Sequence, residues 1–226
     1  MPPHPLDRAI LSSLKGRHAH LAIVQGGACR YDPDYAVFAA VEDHGEASLA
    51  GLGALTAHGD IAMLEPDPPT QAPGAALVSQ ALGVQMVLDR LADWRSPGVE
   101  MIPLAEDDAQ EMLELARLTQ PGPFFDKTHL LGDFYGVRID GRLAAMAGER
   151  MKPEGYTEVS GVCTHPDFRG RGLAGALSHH VATRILERGE QPFLHAYADN
   201  AAAIGLYETL GFRVRAEVQM VRLTQA

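Results

Sequence analysis

The chain has 226 residues, a mass of 24.3 kDa and a formal net charge of −10, which leaves room for one large domain or two small ones. Its 46% apolar and 21% charged residues are ordinary for a soluble globular protein; no apolar run reaches the roughly 18 residues of a membrane span, and acid excess on both sides of residue 98 disfavours nucleic-acid binding through a positive face. The opening Met1-Pro2-Pro3-His4-Pro5 lacks the basic patch and apolar core of a secretory signal, and two distant cysteines, Cys29 and Cys163, exclude a disulfide scaffold and a cysteine zinc site while fitting a reducing cytoplasm.

The first half alternates strand-like and helix-like pieces. Strands are expected over 20–25, 36–41 and 60–64, a small-residue helix over 48–57 and a second helix over 81–91. Gly26-Gly27 reads as a turn and the proline-rich 65–74 as a stiff surface loop. The turn over 95–98 divides a smaller N-terminal α/β domain, 1–98, from a C-terminal domain, 99–226. A short strand over 100–103 then precedes an amphipathic helix over 107–118, with Met112, Leu115 and Ala116 on one face and acids at its start. Pro121-Gly122-Pro123-Phe124-Phe125, followed by Thr128 and Leu131-Gly132, is either a lid or a loop with an aromatic plug. Strands over 133–139, 142–150 and 156–164 follow, the first two joined by the hairpin turn Asp140-Gly141. A helix over 172–188 carries Leu173, Leu177, Val181 and Ile185 at four-residue spacing; a strand over 192–197, a helix over 201–210 and a strand over 212–223 close the chain. The order predicts a mixed, mostly antiparallel sheet flanked by helices, an α/β (α+β) fold.

Chemistry concentrates in Val162-Cys163-Thr164-His165-Pro166-Asp167-Phe168-Arg169-Gly170-Arg171-Gly172-Leu173-Ala174-Gly175. A strand ends, a proline forces an extended turn, and a glycine-rich loop opens a long helix. Unpaired N–H groups in the first helical turn, glycines that admit close approach and two arginines make an anion cradle. A Walker loop would need a lysine absent here, and the GxGxxG reading of 170–175 lacks the parallel unit before it. A second segment, Asn200 to Phe212, has an N-cap in Asn200 and a left-handed stop in Gly211. His179 and His180 diverge by about 100° on a helix, and the ten histidines show no HxxxH spacing, so no metal site is expected.

Together the two segments resemble the GNAT superfamily of N-acetyltransferases. Arg169-Gly170-Arg171-Gly172-Leu173-Ala174 matches its pyrophosphate motif [Gln/Arg]-x-x-Gly-x-[Gly/Ala], and the stretch from Asn200 matches NxxAxxxYxxxGF. The resemblance covers about residues 99–226; residues 1–98 are either a degenerate half-copy of the same fold or an unrelated domain. It implies a GNAT fold and acetyl-CoA as co-substrate, without metal. It implies that the amides of Arg169, Gly170, Arg171, Gly172, Leu173 and Ala174 bind the pyrophosphate. It further implies that Val162, Cys163 and Thr164 pair with the pantetheine arm, that one of their N–H groups steadies the thioester oxygen, and that Asn200 is a polar contact to that arm. Tyr207 matches the family's general acid, with simple orientation of the sulfur as the alternative. Glu158 matches a catalytic glutamate by its position 11 residues before Arg169; burial would raise its pKa into a useful range, and alternation would put Glu158, Ser160, Val162 and Thr164 on one face. Glu149 or water is the rival base. Cys163 reads as a small buried hydrophobe.

The implied activity is transfer of an acetyl group to a primary amine by direct attack in a ternary complex. The alternatives are a non-catalytic acyl-CoA-binding regulator and an amino-acid N-acyltransferase using a longer acyl-CoA. The acceptor is a small-molecule or peptide amine, with the acidic surface leaning toward cationic ones; monomer and homodimer are both open.

Overall fold

A computed structural model describes residues 4–94 and 98–226; the core of the expected boundary turn lies outside them. Asp140 and Gly141 both adopt positive φ, 51° and 79°, and so close the expected hairpin between β7 (Phe134–Ile139) and β8 (Arg142–Glu149). β6 (Ile102–Leu104) pairs with β7, and β9 (Tyr156–Thr164) with β8. α3 (Ala109–Thr119) buries Met112, Leu115 and Ala116 against Phe134, Met146 and Cys163. On the other face α4 (Leu173–Glu187) buries Leu173, Leu177, Val181 and Ile185, as their spacing requires. β10 (Gln191–Tyr197), α5 (Ala201–Thr209) and β11 (Phe212–Gln225) complete the second half.

The first half holds α1 (Ala9–Lys15), a sheet of β1 (Ala22–Gln25), β2 (Ala28–Tyr31) and β3 (Ala39–Val41), α2 (Glu46–Leu55), β4 (Ile61–Glu65) and β5 (Ala75–Leu88). The sequence reading missed α1 and β2, and the helix expected over 81–91 is instead the second half of a 14-residue strand. The cause is legible in the residues. Leu82, Val84, Met86 and Leu88 recur every second position, and the last three pack under α4 while Gln85 points to the opposite face.

β5 also joins the two halves expected on either side of residue 98. The eight-stranded sheet runs β4-β11-β5-β10-β9-β8-β7-β6, so the last strand of the first half lies between the last two strands of the second. β5 pairs with β10 through Gly83–Val87 and with β11 along its whole length, while β11 pairs with β4. Each half has handed its final strand to the other, and neither closes its sheet alone.

Beneath this sheet lies a second core built around Leu6, Ile10, Tyr31, Phe38 and Phe193. His18 is buried beside it, its Nδ1 2.9 Å from the Tyr31 hydroxyl. Burial, with Lys152 nearby, lowers its pKa from 6.5 to about 4. A depressed imidazole pKa means the folded state resists protonation, so its contribution is complete above pH 6.5 and lost as pH falls toward 4. Stability should therefore drop by about 3 kcal/mol across that window. Urea unfolding at stepped pH checks this, and His18→Gln should flatten the profile there.

Candidate active site

β9 and β10 run parallel and hydrogen-bonded only from Tyr156 to Glu158, opposite Gln191 to Phe193. Beyond that point β10 pairs with β5 alone, and the two strands splay. β9 also bulges. Ser160 faces Gly148 and Cys163 faces Met146, so β9 spends one residue more than β8 between these pairs. Gly161, at φ 63°, takes the left-handed conformation this needs, and a Cβ there would lie 2.9 Å from the Phe134 ring. The bulge reverses the alternation of the strand. Val159 and Val162 both pack toward α4, while Glu158 faces the N-terminal half and Cys163 faces α3. The expectation that Glu158, Ser160, Val162 and Thr164 share one face is thus corrected by one inserted residue.

The splay opens a cleft of about 440 Å³ that ends at the N-terminus of α4. It is lined by residues 162–164, 169–174 and Asn200, every position expected to touch a cofactor. Gly170 and Gly172 have φ of 76° and 73°, and a Cβ on either would meet nothing within 4 Å, so the turn opens toward the cleft. The first helical bond runs from the Ala176 N–H to the Gly172 carbonyl at 3.0 Å. That leaves the amides of Leu173, Ala174 and Gly175 without intrahelical acceptors, at the positive end of the helix dipole. Arg171 is held over the Phe168 ring at 5.2 Å, with Arg142 over the same ring at 4.9 Å. The residues present fit a diphosphate ester: donors, positive charge and room coincide.

Asn200 caps α5, its Oδ1 accepting from the Ala203 N–H at 3.1 Å, which leaves its Nδ2 to donate. Cys163 is buried and its thiol pushed up to about 11, which suits a core residue and not a nucleophile. Tyr207 does not form part of the cleft wall; its neighbour Leu206 does. Its ring is half-buried, 6.1 Å from that of Phe212, and its hydroxyl has no hydrogen-bond partner among the described residues. Burial pushes the phenol up to about 12.

Glu158 differs most from expectation. It is fully buried, and its carboxylate accepts from Arg150 Nε at 2.8 Å and Nη2 at 2.7 Å, from His195 Nδ1 at 2.7 Å and from the Met151 N–H at 3.3 Å. Burial alone would raise its pKa, but the Arg150 guanidinium and His195 overcome it and hold the group well below the carboxylate range. The expected upward shift is reversed. Glu149 is likewise buried and tied to Lys152 at 2.8 Å and to Arg188. Neither carboxylate is a free base, and Glu158 lies on the opposite face of the sheet from Tyr207.

One wall residue and one strand residue were not singled out by the sequence. Trp94, the only tryptophan, lines the cleft against Gly175 with its Nε1 buried and unpaired among the described residues. Gly161 could have been read as a bulge, since glycine within a strand pattern marks one.

A family model for FR47-like proteins matches residues 134–221. A solved GNAT-family structure from Novosphingobium aromaticivorans is 44% identical over 99% of this chain and 100% of its own, with a TM-score of 0.90. The ribosomal protein bS18-alanine N-acetyltransferase of Salmonella typhimurium is 39% identical over 77 residues, 34% of this chain and 51% of its own. The chain thus spans about half or less of the length of the first curated relatives it matches. A tandem GNAT protein of the clavulanic acid pathway shares the fold alone, at 16% identity and a TM-score of 0.57 over 99% of this chain and 88% of its own. Strand splay, bulge and amide cradle on one side, and near full-length identity to a GNAT structure on the other, lead to one conclusion: the chain belongs to the GNAT family of N-acetyltransferases.

Proposed function

We propose that the chain moves an acetyl group from acetyl-CoA to a primary amine by direct attack in a ternary complex. The observation that carries this is the cleft between β9 and β10, whose walls unite the glycine-arginine turn, the bulged edge of β9 and Asn200. Bound acetyl-CoA supplies an activated acyl group. The amides of residues 169–174 hold its diphosphate, with Arg169 and Arg171 supplying local positive charge in an acidic chain. The unpaired outer edge of β9, residues 162–164, accepts the pantetheine arm as a further strand would be accepted. An amide of that edge steadies the thioester oxygen. Tyr207, protonated at neutral pH, donates toward the departing sulfur. With Glu158 and Glu149 committed to ion pairs, the amine proton leaves through water.

The first half supports a reading as a degenerate copy of the second. Its β3-α2-β4 unit repeats β9-α4-β10, with a parallel bridge from Phe38 to Ala62 where β9 meets β10. At the start of α2, however, the Asp43 carboxylate accepts from the Gly45 N–H and the Ser48 hydroxyl, both at 2.8 Å. A carboxylate of the chain itself takes the place an anionic ligand would fill. One cofactor per chain follows. Titrating acetyl-CoA while following Trp94 emission should give a saturable change with an endpoint of one per chain, matched by calorimetry. Two equivalents would overturn the degenerate-copy reading, and no heat at all would overturn the function.

A further inference from the structure

Behind the bulge of β9, next to the cleft, lies a narrow second pocket of about 10 Å³, room for a single polar atom of an acceptor. Pro121 lines both, and Gly161 of the pocket adjoins Val162 of the cleft. Phe124 and Phe134, edge to face at 5.7 Å, form an apolar wall. Ser160 and Arg150 supply its polar side chains besides Thr128, whose hydroxyl is already engaged, donating to the Tyr35 carbonyl and accepting from the Phe125 N–H. Arg150 is 9% exposed. Its Nε and Nη2 are forked onto Glu158, its plane lies over Phe38 at 4.5 Å, and Nη1 is the one guanidinium nitrogen with no partner among the described residues.

Glu158 is in turn fixed from behind. His195 Nδ1–H donates to it, Gln85 Nε2 donates to His195 Nε2 at 3.2 Å, and Arg215 donates to Gln85 Oε1 at 2.9 Å. This chain, running from β9 through β10 and β5 to β11, holds the guanidinium in one orientation. One edge, Nε with Nη2, and one face are spent on structure, and Nη1 is a rigid donor in the pocket beside the cleft.

Resting on the acetyltransferase reading, we infer that Arg150 selects the acceptor: an amine bearing a carbonyl oxygen on the neighbouring carbon, to which Nη1 donates. That chemistry comes from a free amino acid or from a peptide N-terminus. A second ammonium would find no carboxylate among the described wall residues, so the lean toward cationic acceptors drawn from net charge gives way to the local donor.

The test measures CoA thiol release from acetyl-CoA with matched acceptors: phenylalanine, phenylalanine amide and phenethylamine, and likewise leucine, leucine amide and isoamylamine. Wild type should use the carbonyl-bearing amines at least tenfold better in kcat/KM. A lead for the carboxylates assigns free amino acids, and a lead for the amides assigns peptide N-termini. Arg150→Lys should close the gap to the plain amine while leaving the Trp94 response to acetyl-CoA unchanged. If that variant does not fold, Arg150→Met with Glu158→Leu replaces the pair by apolar groups and should close the gap equally. Equal use of the plain amine by wild type, or a gap surviving in the variants, overturns the inference and leaves the transferase reading standing. No thiol release with any of the amines overturns both.

Discussion

Tyr207→Phe should lower kcat by about 10²-fold while leaving acetyl-CoA affinity unchanged. General-acid groups contribute roughly 10²–10⁴-fold, and the phenol here belongs at the low end. Its pKa of about 12 lies above the reference thiol value of about 8.5. Complete transfer to a thiolate is therefore uphill, and a hydrogen bond to the developing sulfur charge is what the variant loses. The same shift fixes the pH behaviour. An acid acts only while protonated, and this one stays protonated to about 12, so wild-type kcat should show no falling limb from it up to about pH 11. A limb near pH 9–10 that disappears in Tyr207→Phe would contradict the raised phenol, and an unchanged kcat would remove the acid role.

The second half was legible because its signals are local. Asp140-Gly141, the four-residue spacing from Leu173 to Ile185 and the glycines at 170 and 172 each dictate structure within a few residues. The cleft at the start of α4 was legible because its walls are a turn and a strand edge, whose placement depends on turn chemistry and not on distant side chains. What failed was non-local. β5 reads ambiguously because a short apolar run fits helix or strand, and its partners, β10 and β11, lie more than a hundred residues away. Glu158 was misjudged for a related reason: burial was foreseeable from the strand, but Arg150 and His195 were not visible as its partners, and they decide the sign of its shift. A single glycine, Gly161, reversed the face assignments along β9.

Glu158→Gln should destabilise the protein by about 3–5 kcal/mol, the cost of leaving a buried guanidinium without its counter-charge. Arg150 is nearly as buried as Glu158, with side-chain exposures of 10% and 0%, so water cannot replace the lost partner. The double variant Arg150→Met, Glu158→Leu should regain most of the loss, since well-packed apolar pairs often match buried ion pairs. Urea unfolding at pH 7 measures both. The sign of the pH dependence follows from the depressed pKa. Stabilisation by Glu158 is complete above the unfolded value of about 4.3 and fades as pH falls below it, a window more acidic than that of His18. Because Glu158 is an anchor and not a base in this arrangement, kcat/KM in the folded fraction of Glu158→Gln should still rise with pH through the acceptor amine's own pKa. Loss of that rise, with stability unchanged, would restore Glu158 as the proton acceptor.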